Sequence, residues 1–429
     1  MQKTIRIKTI LFIAIFMQCV LLFAQKEANI WYFGDSAGLN FNTIPPTALT
    51  NSVMNTLEGC SSVADRNGNL LFYSDGKTVW NKNHQIMTNG TGLLGDASST
   101  HSALVIKYPG VDSMYFLFTS GEFNSSNGVC YSIIDMKLSG QLGAVTTKNM
   151  KLVNVSAEKI AAINHANLRD IWVIIPAYGS DSIYSFLITP TGVNLSAIKN
   201  RTGSVISGLN LGQIKFSNDG TKLAFATWKN NTVNILDFNN SNGIVSNNRI
   251  LSGFIDSYGI EFSPNSQYLY ISEESNKMLH QCSIPNSSTN KSAICKTIDS
   301  NTSGTFGSIQ LGSDNKIYCV SFLNGYIGVI NNPNNYYTTC GYFRNAIFLN
   351  GKNSYWGLPT FYQTFFSGIG FITTPSACIG DSSSISIKID SASIDSINWF
   401  IGDTITPIIH GSKIKKFKYL STDTISKLV

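Results

Sequence analysis

The chain has 429 residues, 43% of them hydrophobic and 11% aromatic, but only 13% charged. That charge content is about half the roughly 25% usual for soluble domains, and with the high apolar content it excludes a disordered chain, a coiled coil and a basic nucleic-acid tail. With 35 Gly and 11 Pro a collagen-like or proline-rich architecture is excluded as well, and the length is enough to bury a large core.

The chain begins with Lys3, Arg6 and Lys8 ahead of an apolar run from Ile10 to Ala24, followed by Gln25-Lys26-Glu27. This is the pattern of a secretory signal peptide over residues 1–24, cleaved after Ala24. No later stretch reaches the 18 apolar residues of a membrane span, so the expectation is an exported chain, secreted or held at the cell surface, with no membrane insertion once the leader is removed. The formal charge of +6 is half leader: without its three basic residues, 28 basic face 25 acidic side chains. A charge that small gives no reason to expect a nucleic-acid partner.

Past the leader, a hairpin recurs. Ile214-Lys215-Phe216-Ser217-Asn218-Asp219-Gly220-Thr221-Lys222-Leu223 is matched by Ile260-Glu261-Phe262-Ser263-Pro264-Asn265-Ser266-Gln267-Tyr268-Leu269, and in a shorter form by Ile309-Gln310-Leu311-Gly312-Ser313-Asp314-Asn315-Lys316-Ile317. Each is a short strand, a tight polar turn and a second apolar strand. The second strands open at Ile30, Leu70, Met114, Ile171, Leu223, Leu269 and Ile317, roughly 40 to 57 residues apart, and a third strand follows each. Six Asn-Gly and two Asp-Gly pairs supply turns of positive φ, and no long helical periodicity competes. The spacing predicts an all-β fold, a seven-bladed β-propeller over residues 28–366. Only six units have their own first strand. The one opening at Ile30 lacks it, and Tyr355-Trp356-Gly357-Leu358-Pro359-Thr360-Phe361 has that strand's pattern, so residues 355–361 are expected to close the N-terminal blade and join the ring. Beyond Ser367-Gly368-Ile369-Gly370 the pattern becomes a few alternating strands, a small β-sandwich over residues 371–429.

Asn29-Ile30-Trp31-Tyr32-Phe33-Gly34, Glu58-Gly59-Cys60, Asn69-Leu70-Leu71-Phe72-Tyr73-Ser74-Asp75-Gly76, Val79-Trp80-Asn81 and His84 carry a family resemblance. They are similar to the start of large bacterial surface proteins that bear an N-terminal seven-bladed propeller, then PKD or Ig-like repeats and often a sorting domain for type IX secretion, a group associated with gliding motility. Ile397-Asn398-Trp399-Phe400-Ile401-Gly402-Asp403-Thr404 resembles the PKD motif, with Thr404 where that motif has Gly. The resemblance implies a surface protein whose PKD-like domain acts as a spacer.

Seven cysteines follow the leader, and export permits disulfides. Cys282 and Cys295 stand on opposite arms of one predicted hairpin, so the choice is a cross-strand bridge or two buried thiols. No CxxC or His-rich spacing indicates a metal site, and no cofactor motif is present. Asp65-Arg66-Asn67-Gly68-Asn69 has the oxygen content of a calcium loop, yet it fills the turn slot of the repeat, which explains its polarity.

Lys215, Glu261 and Gln310 occupy one register of three successive first strands. They read either as channel-facing contacts for a ligand or as a solvated ion pair between neighbouring blades. Glu58 and His101 both lie just before first strands, which places a carboxylate and an imidazole on one mouth of the ring, while His84 and His165 fall near other strand ends. Trp80, Trp228 and Trp356 are candidates for stacking on sugars or for wedging between blades. No nucleophile elbow or phosphate loop occurs. The expected function is therefore binding or adhesion to an extracellular glycan or protein, with no catalytic residue assigned. A polysaccharide hydrolase or lyase and a structural part of a motility layer are the alternatives.

Overall fold

The computed structural model describes residues 26–209, 211–284, 293–300 and 304–366, together with the path of five short strands farther on. The leader expected over residues 1–24 lies outside the described residues. So does the domain expected over 371–429, apart from the pairing of Ser382–Ser386 with Ile414–Lys418 and of Trp399–Ile401 with Thr404–Ile405 and Lys427–Leu428.

The described chain is an all-β, propeller-like succession of antiparallel sheets, each built from a consecutive stretch of sequence. The first has β1 (Ile30–Phe33), β2 (Ala37–Asn40) and β3 (Thr47–Leu49). The second and third units are β4 (Ser61–Ala64), β5 (Leu70–Ser74), β6 (Thr78–Asn81) and β7 (Ile86–Thr91), then β8 (Ala103–Tyr108), β9 (Val111–Ser120), β10 (Val129–Asp135) and β11 (Ala144–Val153). These two were expected as separate sheets, but they share an outer edge. Ala144 on β11 pairs in parallel with Thr88 on β7, making one eight-stranded sheet. The next unit has β12 (Ala161–Asn164), β13 (Ile171–Pro176) and β14 (Ser182–Thr189), with β15 (Gly192–Val193) and β16 (Ile198–Arg201) sharing the outer side of β14. Three regular four-stranded sheets follow. They are β17 (Ile214–Phe216) to β20 (Ile244–Ser252) through β18 (Lys222–Thr227) and β19 (Thr232–Asn239); β21 (Ser257–Phe262) to β24 (Cys295–Ser300) through β22 (Tyr268–Glu273) and β23 (Met278–Ser283); and β25 (Phe306–Leu311) to β28 (Tyr342–Phe348) through β26 (Ile317–Ser321) and β27 (Tyr326–Ile330).

Burial falls from first strand to last. Every residue of β17, β21 and β25 is buried, whereas β24 and β28 are mostly exposed or half-buried. Apolar side chains between the sheets form the core: Trp31 meets Phe41 at 4.6 Å and Tyr318 at 5.5 Å, ring centre to ring centre, tying the first sheet to the last. Across β23 and β24, Cys282 pairs in register with Cys295 and the two form a disulfide. It closes a short hairpin loop, a type of link that contributes on the order of 3 kcal/mol.

Residues 355–361 form no ladder with β1, although Asp35, just past its end, bridges Asn353. The segment threads between first strands: Trp356 N–H donates to Leu57 O (2.9 Å), Ser308 N–H to Trp356 O (2.8 Å) and Thr360 N–H to Cys60 O (2.7 Å), and Phe361 bridges Val105 in parallel. It then reaches the far ends of β12 and β17, where Asn164 N–H donates to Thr364 Oγ1 (3.0 Å) and Gln363 Nε2 to Asn218 Oδ1 (3.2 Å). The segment thus enters beside β25 and β4 and runs along the first strands to their opposite ends.

This passage leaves no room for side chains. A Cβ on Gly357 would stand 1.8 Å from Glu58 O, and one on Gly307 would stand 2.4 Å from Trp356 O. Gly357→Ala must displace backbone on both sides, and we expect it to lower the unfolding free energy by about 3 kcal/mol or more in urea titration. Wild-type stability in that variant would show that the strands are not in contact here.

Candidate functional site

The starts of the first strands and the loops after the second strands meet at one end of the ring. Glu58, Thr100, His101, Glu158, Lys159 and Tyr258 all precede or open first strands, and all are buried. Trp228, Glu274 and Phe322 follow second strands and stand at the same end: Trp228 N–H donates to Leu211 O, Phe322 N–H to Thr305 O, and the Trp228 indole to Glu274 Oε2 (2.8 Å). Trp356 stacks on Phe322 with ring centres 4.7 Å apart and lies 6.2 Å from the Tyr258 ring.

Two buried carboxyls differ sharply here. Glu158 is fully engaged: Oε2 accepts from Thr100 N–H (2.9 Å) and Thr100 Oγ1 (3.1 Å), and Oε1 from Phe123 N–H (2.7 Å). Burial still raises its pKa, against those bonds and the neighbouring Lys159 ammonium. Burial lowers that of Lys159, opposed by Glu158 and Glu58. Glu58 is the exception. It is only 7% exposed, and its Oε2 is buried with no hydrogen bond to any described residue. Desolvation first, then the Glu158 and Glu274 charges, push its pKa up to about 8, and the facing Tyr258 and Thr100 hydroxyls offset only part of that. Although Tyr258 OH faces this carboxyl, it forms no hydrogen bond of ordinary geometry with it or with any other described group. At neutral pH Glu58 is therefore a neutral carboxylic acid.

His101 lies deeper. Its Nδ1 lies 3.0 Å from Ile160 O and 3.4 Å from Ile160 N, and its Nε2 is buried without a described partner. Burial, then the Lys215 and Lys159 charges, push its pKa down to about 3, so the ring is neutral at physiological pH.

Farther along the axis, Lys215, Glu261 and Gln310 come together, each buried. Lys215 Nζ is 3.0 Å from Glu261 Oε2 and also bonds Gln310 Oε1. Glu261 accepts from Phe262 N–H at Oε1 and Leu311 N–H at Oε2, both at 3.0 Å. The ion pair is thus dry rather than solvated, and its carboxylate is fully used in tying three first strands together.

The remaining sequence candidates are used locally. Asp65 accepts from Asn67 and Asn69 backbone N–H within its own turn. His84 sits between Asn51 (2.8 Å) and Tyr73 (3.1 Å), and His165 between Ser241 O and Asn167 N–H. Trp80 stacks on Tyr73. Among the described residues no three His, Cys, Asp or Glu side chains gather at metal-ligating distance. Thr100, Glu158, Lys159 and Tyr258 were not singled out from sequence. The available signal was their place, since Tyr258-Gly259 repeats Glu58-Gly59 at the start of a first strand.

No family model matches the chain, and no curated protein does. Solved structures resemble it at a distance. A functionally unknown protein from Desulfotomaculum acetoxidans has TM-score 0.48 at 12% identity, covering 78% of this chain and 99% of that one. A putative 6-phosphogluconolactonase from Bacteroides fragilis has 0.41 at 13%, covering 84% and 97%. Hydrazine synthase from Kuenenia stuttgartiensis has 0.44 at 9%, covering 91% and 97%. Likeness this distant transfers no activity.

Glu58 binds more protons folded than unfolded between its ordinary value and about 8. It therefore lowers stability as pH rises through that window. His101 acts below its ordinary value, so pH 6.5 to 8 isolates the carboxyl from it. In urea unfolding across that range, Glu58→Gln should remove a downward slope of up to about 1.4 kcal/mol per pH unit relative to wild type. Parallel curves for the two proteins would mean that Glu58 titrates as an ordinary carboxylate.

Proposed function

We propose that the chain is an exported recognition protein: a seven-bladed propeller that binds a ligand at its axial mouth, followed by a PKD-like domain that spaces it from the cell surface. The count of seven rests on the seven hairpin markers, with the joined eight-stranded sheet taken as two units and the three-stranded β1-β2-β3 sheet as the first. Export is supported by the leader pattern and by a disulfide that suits an oxidising compartment.

One observation carries the binding site. Glu58 is a buried carboxyl whose Oε2 accepts no hydrogen bond from any described residue, at the end of the ring where the first strands begin. A buried unpaired polar group costs on the order of 1–3 kcal/mol, and such costs collect at functional sites. The aromatic rings of Trp356, Phe322 and Trp228 rim the same end. Recognition is favoured over hydrolysis because both oxygens of Glu158, the carboxyl whose charge acts most on Glu58, are already tied by hydrogen bonds to Thr100 and Phe123.

Immobilised panels of oligosaccharides and peptides test this directly. The expected result is retention of the purified chain without cleavage, weakened at least tenfold by Glu58→Ala. Cleavage products would establish the hydrolase or lyase reading instead, and retention indifferent to Glu58→Ala would move the site elsewhere.

A further inference from the structure

Lys215, Glu261 and Gln310 set an amine, a carboxyl and a carboxamide against one another where water does not reach. The three residues are only 5%, 0% and 1% exposed. Lys215 Nζ meets both partners at once, 3.0 Å from Glu261 Oε2 and in a hydrogen bond to Gln310 Oε1, so the nitrogen is held against the carboxamide of a residue 95 positions away. The amide nitrogen of that group, Gln310 Nε2, is turned onto Leu311 O (3.0 Å). Next to the trio, Gln213 Oε1 accepts from Ile260 N–H (3.1 Å) and Ile309 N–H (3.0 Å), which pins the start of β17 to β21 and β25 and keeps the three side chains from drifting apart.

In water an ammonium keeps its proton and a carboxamide resists attack by amines. Here the environment opposes both. Burial lowers the Lys215 pKa, against the pull of the Glu261 charge. Passing one proton from Nζ to Oε2 along the existing bond replaces two buried charges by two neutral groups and frees the nitrogen lone pair. Glu261 differs from Glu158 in this respect, because one of the hydrogen bonds that occupies it comes from the nucleophile itself. Reactants fixed in contact react as though at an effective concentration of about 10⁵–10⁸ M, and a dry site removes hydrolysis as a competitor.

We propose that Lys215 and Gln310 join through an isopeptide bond that the folded chain forms without any other reactant, with Glu261 as the proton carrier. After giving a proton to Glu261, Lys215 Nζ attacks Gln310 Cδ. Glu261 hands that proton to Nε2 and takes a second one from Nζ. The Cδ–Nε2 bond then breaks, ammonia leaves and the carbonyl is restored. Glu261 ends as a neutral acid, so no buried charge remains. The bond ties β17 to β25 across β21 and closes a long loop of chain, the kind of link that restricts the unfolded state most. It is independent of what the mouth of the ring binds.

Mass spectrometry of the full chain, unfolded and digested with trypsin, tests this. The expected product is the peptide containing Lys215, uncleaved after that residue, joined to the peptide containing Gln310 and lighter than their sum by one ammonia, about 17 Da. The joined mass is decisive, because ammonia lost at an Asn-Gly turn leaves two separate peptides. Glu261→Gln should yield the two peptides unjoined. Gln310→Glu, which keeps a partner for Lys215 but offers it a carboxylate in place of a carboxamide, should do the same and serves as the control should Glu261→Gln fail to show a native melt. Unjoined peptides from the wild-type chain, or joined peptides that persist in either folded variant, overturn the proposal.

Discussion

Convergence on the axis is the constraint from which the rest of this molecule follows. First strands and the returning segment 355–366 approach so closely that the carbonyls of Trp356 and Glu58 occupy the space where Gly307 and Gly357 would carry a Cβ. Such contact excludes water from whatever side chains the first strands bear, and a dry polar group must find a partner or cost stability. The two ends of the axis resolve that demand differently. Lys215, Glu261 and Gln310 saturate one another and nearby amides, which makes them a rivet among three sheets. At the mouth, Glu58 Oε2 accepts from no described residue, and its carboxyl meets burial by holding its proton.

Much of the architecture was legible because hairpins are local. Strands Thr78–Asn81 and Tyr326–Ile330 stand where a third strand was expected after the markers Leu70 and Ile317, and the opposed Cys282 and Cys295 lie on the two arms of one hairpin. What depended on distant neighbours was not legible. The parallel contact between β7 and β11 joins residues 56 positions apart through a single pair, with no periodic trace in the sequence. Residues 355–361 were recognisable as first-strand-like, but their crossing toward Asn164 and Asn218 is set by which strand ends lie beneath them.

The site shows the same division. Glu58 and His101 could be placed at one mouth from their positions alone. Their electrical state could not, because burial by Thr100, Glu158 and Tyr258 from other units creates it. His84 and His165 look as promising in sequence, yet each is held by neighbours on its own rim. The Lys215 register could be read as ligand contacts or as a solvated link between blades; in the fold Lys215 and Glu261 form a dry pair.

The account stands or falls on one carboxyl. Carbon-13 NMR of the full chain, with the Glu58 side-chain signal assigned by its loss in Glu58→Gln, reads that group's titration directly. The structure predicts a midpoint near 8, so the signal is that of a protonated acid at pH 7. A midpoint in the ordinary glutamate range, about 4.3, would contradict the central claim, because it would mean that Glu58 is solvated or already paired.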